Sequence, residues 1–234
     1  MRLAIVTGAG SGLGRHLALG LADGGTGVLA ADIDRDAAEE TADLVRARGV
    51  TAEAAQSDIR DAEQCHRLVR LAVEHGGPHV LINNAGGWTA GEQWPYAAAD
   101  AWTATMSLNL LAPMLLSQLV LAPMHDLGGG VIVNIASSAG AESTGYRSPE
   151  YGAAKAGLIR FTTSLADLEQ THGVRMTCIV PGWIGLERAY AEVEALPEDE
   201  RTKTPPLIPP ARIVAEALKL IAAGRSGSVV EIRT

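Results

Sequence analysis

Short apolar runs alternate with amphipathic stretches along most of this chain. Leu3 to Val6 is wholly apolar but too short for a stable helix, so it predicts a buried strand, and Gly12 to Ala22 predicts the helix that follows. Val28 to Ala31 is a second strand, and Arg35 to Arg48 a charged amphipathic helix. The alternation continues through a weak strand at Ala52 to Ala55, a helix at Ala62 to Glu74 and an apolar strand at Val80 to Asn83. It then runs through a long helix at Ala99 to His125, a strand at Val131 to Ala136, a long helix at Tyr151 to His172 and a strand at Arg175 to Val180. A helix at Ala211 to Ala223 and a strand at Ser228 to Ile232 finish the pattern. Strands separated by helical crossovers imply an α/β fold, a doubly wound parallel sheet of about seven strands with helices on both faces. Ligands of such sheets gather at the carboxyl ends of the strands.

The rhythm fails in one place. From 183 to 210 the chain carries an acidic helical piece, Glu187 to Glu194, and the proline-rich Thr204-Pro205-Pro206-Leu207-Ile208-Pro209-Pro210. Because it follows the sixth strand on the ligand side, this insertion reads as a lid over a substrate, with a passive surface loop as the other reading. A length of 234 residues at 47% hydrophobic suits one large domain, residues 1–234, and is short for two.

A net charge of −8 and a pI near 5.2 oppose a nucleic-acid role, since phosphate backbones need a basic face, and 4% aromatics leave few stacking platforms. Cys65 and Cys178 lie in unrelated segments and read as reduced thiols; the six histidines are scattered, so no metal site is expected. The amino-terminal apolar run is too brief for a signal peptide. Leu108 to Met124 is interrupted by Asn109, Pro113, Ser117, Gln118 and Pro123, which fits a buried helix at a subunit interface better than a membrane span. The expected location is cytoplasmic.

Three groups of residues carry chemistry. In Thr7-Gly8-Ala9-Gly10-Ser11-Gly12-Leu13-Gly14, Gly8, Gly12 and Gly14 join a strand to a helix, where missing side chains let backbone approach a pyrophosphate and its charge meet the helix amino end. Asp32, at the end of the second strand, can accept both hydroxyls of an adenosine ribose and would repel a 2'-phosphate. That favours NAD over NADP; Arg35 is the opposing residue, and Ser11 adds no positive charge to the turn. Neither a phosphate loop of the Gly-Lys-Ser/Thr type nor a Gly-x-Ser-x-Gly elbow around Ser138 is present.

Tyr151 and Lys155 stand four apart, on one face of a helix. A free phenol titrates near ~10 and is a poor base at neutral pH. Lowering it by about three units takes roughly 4 kcal/mol of preferential phenolate stabilisation, which a desolvated ammonium nearby could largely supply. Ser138 lies upstream at the end of an apolar strand.

Together with Asn83-Asn84-Ala85-Gly86, Asn109 and Pro181-Gly182, these elements resemble, over nearly the whole chain, the short-chain dehydrogenase/reductase family in its shorter Tyr-x-x-x-Lys form. The resemblance implies a Rossmann-type domain binding NAD, with NADP the alternative, and moving a hydride between nicotinamide and a secondary alcohol or ketone. It implies that Tyr151 exchanges the proton with the substrate oxygen, that Lys155 lowers the Tyr151 pKa and bonds the nicotinamide ribose, and that Ser138 holds the reacting oxygen. Asn109 would position a water linking Lys155 to solvent. The cofactor would be lined by Gly8, Ser11, Gly12, Leu13, Gly14, Asp32, Ile33, Asp58, Ile59, Asn84, Ala85, Gly86, Tyr151, Lys155, Pro181, Gly182 and Ile184, with Asp58 on the adenine amine and Ile184 on the carboxamide. Simpler roles stand beside these: Asn84 as a tie between strands, Asn109 on a helix carbonyl, Ser137 as the active hydroxyl. Leu186 replaces the threonine common in the family four residues after the Pro-Gly glycine. Trp88, Ala139, Gly140, Trp183 and Tyr190 are the expected substrate contacts, with Trp94 and Ala141 nearby, and suggest an apolar or ring-shaped molecule. A homotetramer is the implied assembly, a dimer the alternative; a catalytically idle NAD-binding sensor is the reading from another class.

Overall fold

The computed structural model describes residues 2–87, 91–142 and 148–234. Strands β1 (Leu3–Thr7), β2 (Gly27–Asp32), β3 (Ala52–Gln56), β4 (Val80–Asn83), β5 (Gly130–Ile135), β6 (Val174–Pro181) and β7 (Val229–Ile232) form one parallel sheet in the order β3-β2-β1-β4-β5-β6-β7. The helices are α1 (Gly12–Asp23), α2 (Arg35–Arg46), α3 (Ala62–Glu74), α4 (Ala99–Met106), α5 (Ala112–Asp126), α6 (Pro149–Ser164), α7 (Leu168–His172), α8 (Glu187–Glu194), α9 (Glu198–Arg201) and α10 (Pro210–Ala223). The short α9 has no counterpart in the sequence reading.

Alternating strand residues feed two cores. Ala4 and Val6 of β1, Val28 and Ala30 of β2, and Val131 and Val133 of β5 pack with Leu17, Leu21, Ile213 and Leu220 of α1 and α10. Leu3, Ile5, Leu29 and Ile132 point to the other face, against Leu68, Ala72, Leu116 and Val120 of α3 and α5. Strand order reverses between β1 and β4, and the glycine turn after β1 and Asn84-Ala85-Gly86 after β4 leave the carboxyl ends at that reversal, flanked by the loops after β2 and β5. β7 is paired in parallel with β6, and the Gly182 N–H bonds Ile232 O at 3.0 Å, so the last strand also ends on this side.

Two long helices depart from the sequence reading. The stretch Ala99–Asp126 is helical throughout, but Ser107–Leu111 forms a π turn around Asn109. Pro113 has no N–H to offer the Asn109 carbonyl, so the regular ladder cannot continue there. By length and composition this stretch could cross a membrane, at a hydropathy of 1.5. Yet Ala112, Leu116, Val120 and Met124, at four-residue spacing, are all buried in the second core, which makes it a core helix of the sheet. Its other face leaves Leu111 and Met114 exposed.

The helix predicted over Tyr151 to His172 instead ends at Ser164 and restarts at Leu168. Thr163 and Ser164 both turn their hydroxyls back onto the Arg160 carbonyl, at 3.0 and 2.8 Å, competing with the backbone ladder. The restart lets Leu168 reach the core, where it is buried.

Candidate active site

The glycine turn is fixed from three sides. Gly8 has φ +63, and a Cβ there would lie 2.9 Å from Ala85 Cα. A Cβ on Gly14 would press into the Gly8 carbonyl, 2.6 Å from its carbon and 2.7 Å from Asn84 Nδ2. The Asn84 amide donates to Thr7 O at 2.9 Å and Gly8 O at 3.3 Å, while Thr7 Oγ1 accepts from the N–H groups of Asn84 and Ala85 at 3.0 Å each. So the Asn84 side chain is the strand tie, and its position beside Ala85 and Gly86 still lines the cleft. Arg15 donates to Gly10 O at 2.6 Å and Thr41 Oγ1 at 3.1 Å, and pairs with Glu40. Ser11 caps α1 without a side-chain bond to its first amides. Those N–H groups and the helix dipole are therefore available to an anion.

Asp32 does more than end β2. Its Oδ2 accepts the Gly10 N–H at 2.8 Å and its Oδ1 the Asp34 N–H at 3.0 Å, so the carboxylate braces the glycine turn while facing the cleft. Arg35, the opposing cation in the sequence reading, does not line the cleft. Beside Asp32 lie Ile33, 57% exposed, and the turn after β3, whose Asp58, Ile59 and Arg60 also line it. Arg60 and its pairing with Asp58 were missed from sequence, and so were the ties made by Thr7 and Arg15. The only signal was the presence of an arginine two residues from one expected contact and next to another.

At the other end, α6 carries Tyr151 and Lys155. The Lys155 ammonium stands 5.7 Å from the Tyr151 ring centroid, is 3% exposed, and donates to Ile135 O at 2.9 Å. Burial pushes its pKa down to about 8. Cys178, also buried, is pushed up to about 12 by the same cause and stays a neutral thiol. Ser137 and Ser138 leave β5 together and both line the cleft, but the Ser137 hydroxyl accepts the Ala139 N–H at 3.2 Å and so has a structural partner.

Asn109 is fully buried. Its amide donates to Gly87 O at 2.6 Å and Thr105 O at 2.8 Å, and its Oδ1 accepts the Gly87 N–H at 3.1 Å. The helix carbonyl proposed as its simpler partner is thus that of Thr105, and with both amide hydrogens used, the side chain could hold a water only as an acceptor, through Oδ1. A Cβ on Gly86 would meet Asn109 Oδ1 at 2.8 Å and Lys155 Nζ at 3.0 Å, so the two groups converge on one glycine.

The chain after Pro181 and Gly182 closes the cleft. Ile184 bridges Ile208, the Gly185 N–H bonds Ile208 O at 2.8 Å, and the Ile208 N–H bonds Trp183 O at 2.8 Å, so the insertion is stitched to itself. Leu186 approaches within 3.5 Å of where a Gly12 Cβ would lie, an apolar side chain beside the anion cradle. Of the expected substrate contacts, Trp183 and Tyr190 line the cleft. Ala139 and Gly140 do not; Gly140 is small because the α6 backbone passes it, with Lys155 C 2.5 Å from a notional Cβ. Trp88 lies outside the described residues. The whole cleft has a volume of about 1390 Å³, open from Asp58 to Tyr190.

A pyrophosphate cradle braced by an acid, with a tyrosine and a buried lysine at the far end, suits a dinucleotide whose reactive ring reaches Tyr151. The family described as short chain dehydrogenase matches residues 2–194. A cis-4-hydroxycyclohexanecarboxylate dehydrogenase of Sinomonas cyclohexanicum is 33% identical over 240 residues, 98% of this chain and 92% of its own. The 7alpha-hydroxysteroid dehydrogenase of Escherichia coli K12 is 34% identical over 186 residues, 78% of this chain and 71% of its own. Among solved structures, a 7alpha-hydroxysteroid dehydrogenase complexed with NADH and 7-oxo glycochenodeoxycholic acid superposes with a TM-score of 0.89 at 29% identity, covering 99% of this chain and 92% of that one. The chain belongs to the short-chain dehydrogenase family and is an oxidoreductase acting on CH–OH groups. The family uses NAD(P)(H).

Proposed function

We propose that this protein is an NAD(H)-dependent oxidoreductase for secondary alcohols and their ketones on an apolar or ring-shaped skeleton. The observation that carries the cofactor choice is Asp32, an acid held by two backbone N–H groups at the adenosine end of the cleft. A 2'-phosphate placed there would face a fixed carboxylate. NADPH is therefore expected to bind at least about tenfold more weakly than NADH, a difference of roughly 1.4 kcal/mol. Equal dissociation constants in a fluorescence titration of the purified protein would remove the argument. The ring-shaped skeleton is supported by Trp183 and Tyr190 at the mouth and by the substrates named for the two relatives above.

When bound, the nicotinamide supplies or takes up the hydride. The chain's own residues manage the proton and the oxygen. Tyr151 takes the hydroxyl proton during oxidation and returns it during reduction, Ser138 donates a hydrogen bond to the reacting oxygen, and the Lys155 ammonium stabilises the phenolate form of Tyr151. Lysine with a lowered pKa is charged below that value and neutral above it. With Lys155 at about 8, kcat/KM for the dinucleotide is expected to decline as pH rises through that value. A profile flat to pH ~10, where an ordinary lysine titrates, would contradict a functional ammonium at this position.

A further inference from the structure

The turn after β3 holds an ion pair that the reaction itself does not use. Arg60 Nε donates to Asp58 Oδ1 at 2.9 Å and its Nη2 to Oδ2 at 2.7 Å, a two-pronged fit, and the Arg60 N–H adds a third bond to Oδ1 at 3.0 Å. The backbone beneath is equally fixed. The Asp58 N–H bonds Gln64 Oε1 at 2.9 Å, the Gln64 amide donates to Asp61 Oδ2 at 3.2 Å, and Asp61 Oδ1 caps α3. Asp58 and Arg60 both line the cleft, on the same side as Asp32 and the exposed Ile33.

From this arrangement we propose that Arg60 is a positioning residue that makes the cleft selective for adenine, by holding the Asp58 carboxylate in one orientation against the base edge. The inference rests on the cleft being a dinucleotide site. An ionised carboxylate only accepts hydrogen bonds. Adenine offers it an amine, whereas hypoxanthine presents a carbonyl oxygen at the same position, acceptor against acceptor. An unanchored aspartate, 27% exposed, would turn away from that carbonyl into solvent and discriminate poorly. The guanidinium fork removes the freedom to turn and, with the Arg60 N–H already on Oδ1, leaves the outer lone pair of Oδ2 for the base. Lysine would supply the charge without the fork. Arg60 also offsets one of the two aspartates, Asp32 and Asp58, that line the cleft and would otherwise face an anionic ligand together. Consistent with this pairing, Arg60 holds the Asp58 carboxyl below its usual range.

The test compares NADH with reduced nicotinamide hypoxanthine dinucleotide by fluorescence titration. Wild-type protein is expected to prefer NADH by at least about tenfold, Arg60→Met to prefer it by about threefold or less with the loss falling on NADH, and Arg60→Lys to recover only part of the preference. An undiminished ratio in Arg60→Met overturns the proposal, as does an equal loss for both dinucleotides, which would mark Arg60 as a support of the turn alone. Full recovery in Arg60→Lys would overturn the role of the fork. If Arg60→Met does not fold, Asp58→Asn decides: its amide can donate to the hypoxanthine carbonyl, so the preference should shrink or reverse, and an unchanged ratio counts against the pair. Wild-type protein that binds neither NADH nor NADPH would instead remove the dinucleotide reading on which the inference rests.

Discussion

Tyr151→Phe is expected to lower kcat by roughly 10²–10⁴-fold, the range over which a positioned proton donor or acceptor contributes, while NADH still binds. The substitution removes one oxygen from a ring that stays packed on α6, and Lys155 keeps its bond to Ile135 O. The glycine turn is braced by Asn84 and Thr7, not by the Tyr151 hydroxyl, so its shape should be untouched. Steady-state kinetics on an alcohol and ketone panel, paired with an NADH titration, separate the two effects. Retained turnover would sink the assignment of Tyr151 as the proton-exchanging group.

Gly14→Ala is expected to fail for a different reason. The added methyl must displace the Gly8 carbonyl, and Asn84 Nδ2, only 2.7 Å away, is tied to Thr7 and Gly8. Overpacking of this kind costs about 1–3 kcal/mol, more where backbone must move, and here the backbone that moves is the anion cradle. Thermal unfolding should shift down by several degrees, since each kcal/mol is worth about 2–4 °C at this size, and NADH affinity should fall with it. A variant with unchanged melting temperature and affinity would show that the turn is not braced as described.

Much of this was legible in the sequence because strand and helix periods differ, because the glycine turn, Asp32 and Ser138 follow the ends of predicted strands, and because Tyr151 and Lys155 share one face of a predicted helix. What was not legible depends on geometry that spacing does not encode. The break before Leu168 comes from two hydroxyls bonding backward and from the burial of one leucine, and neither changes the apolar pattern. The π turn at Asn109 follows from a proline four residues later whose effect depends on the helix continuing through it. Gly140 stood close to Ser138 in sequence and was read as a substrate wall, but proximity does not fix facing, and it backs onto α6. Arg60, in a turn, and Arg15, on α1, were passed over because arginines at such places are usually solvated; only the fold shows the carboxylate and carbonyl that hold them.

The parallel pairing of β7 with β6 has a practical side. Ile232 O is bonded to Gly182 N–H, and Arg212 holds Arg233 O at 2.8 Å, so the carboxyl-terminal residues run beside the rim of the cleft. Arg2, by contrast, leads into β1 at the amino ends of the strands, where its carbonyl bonds the Gly27 N–H. An affinity tag or fused reporter attached after Thr234 would start next to Pro181 and Gly182 and crowd the entrance. The same appendage attached at the amino terminus starts on the far side, which is where an immobilised or tethered form of this enzyme should be anchored.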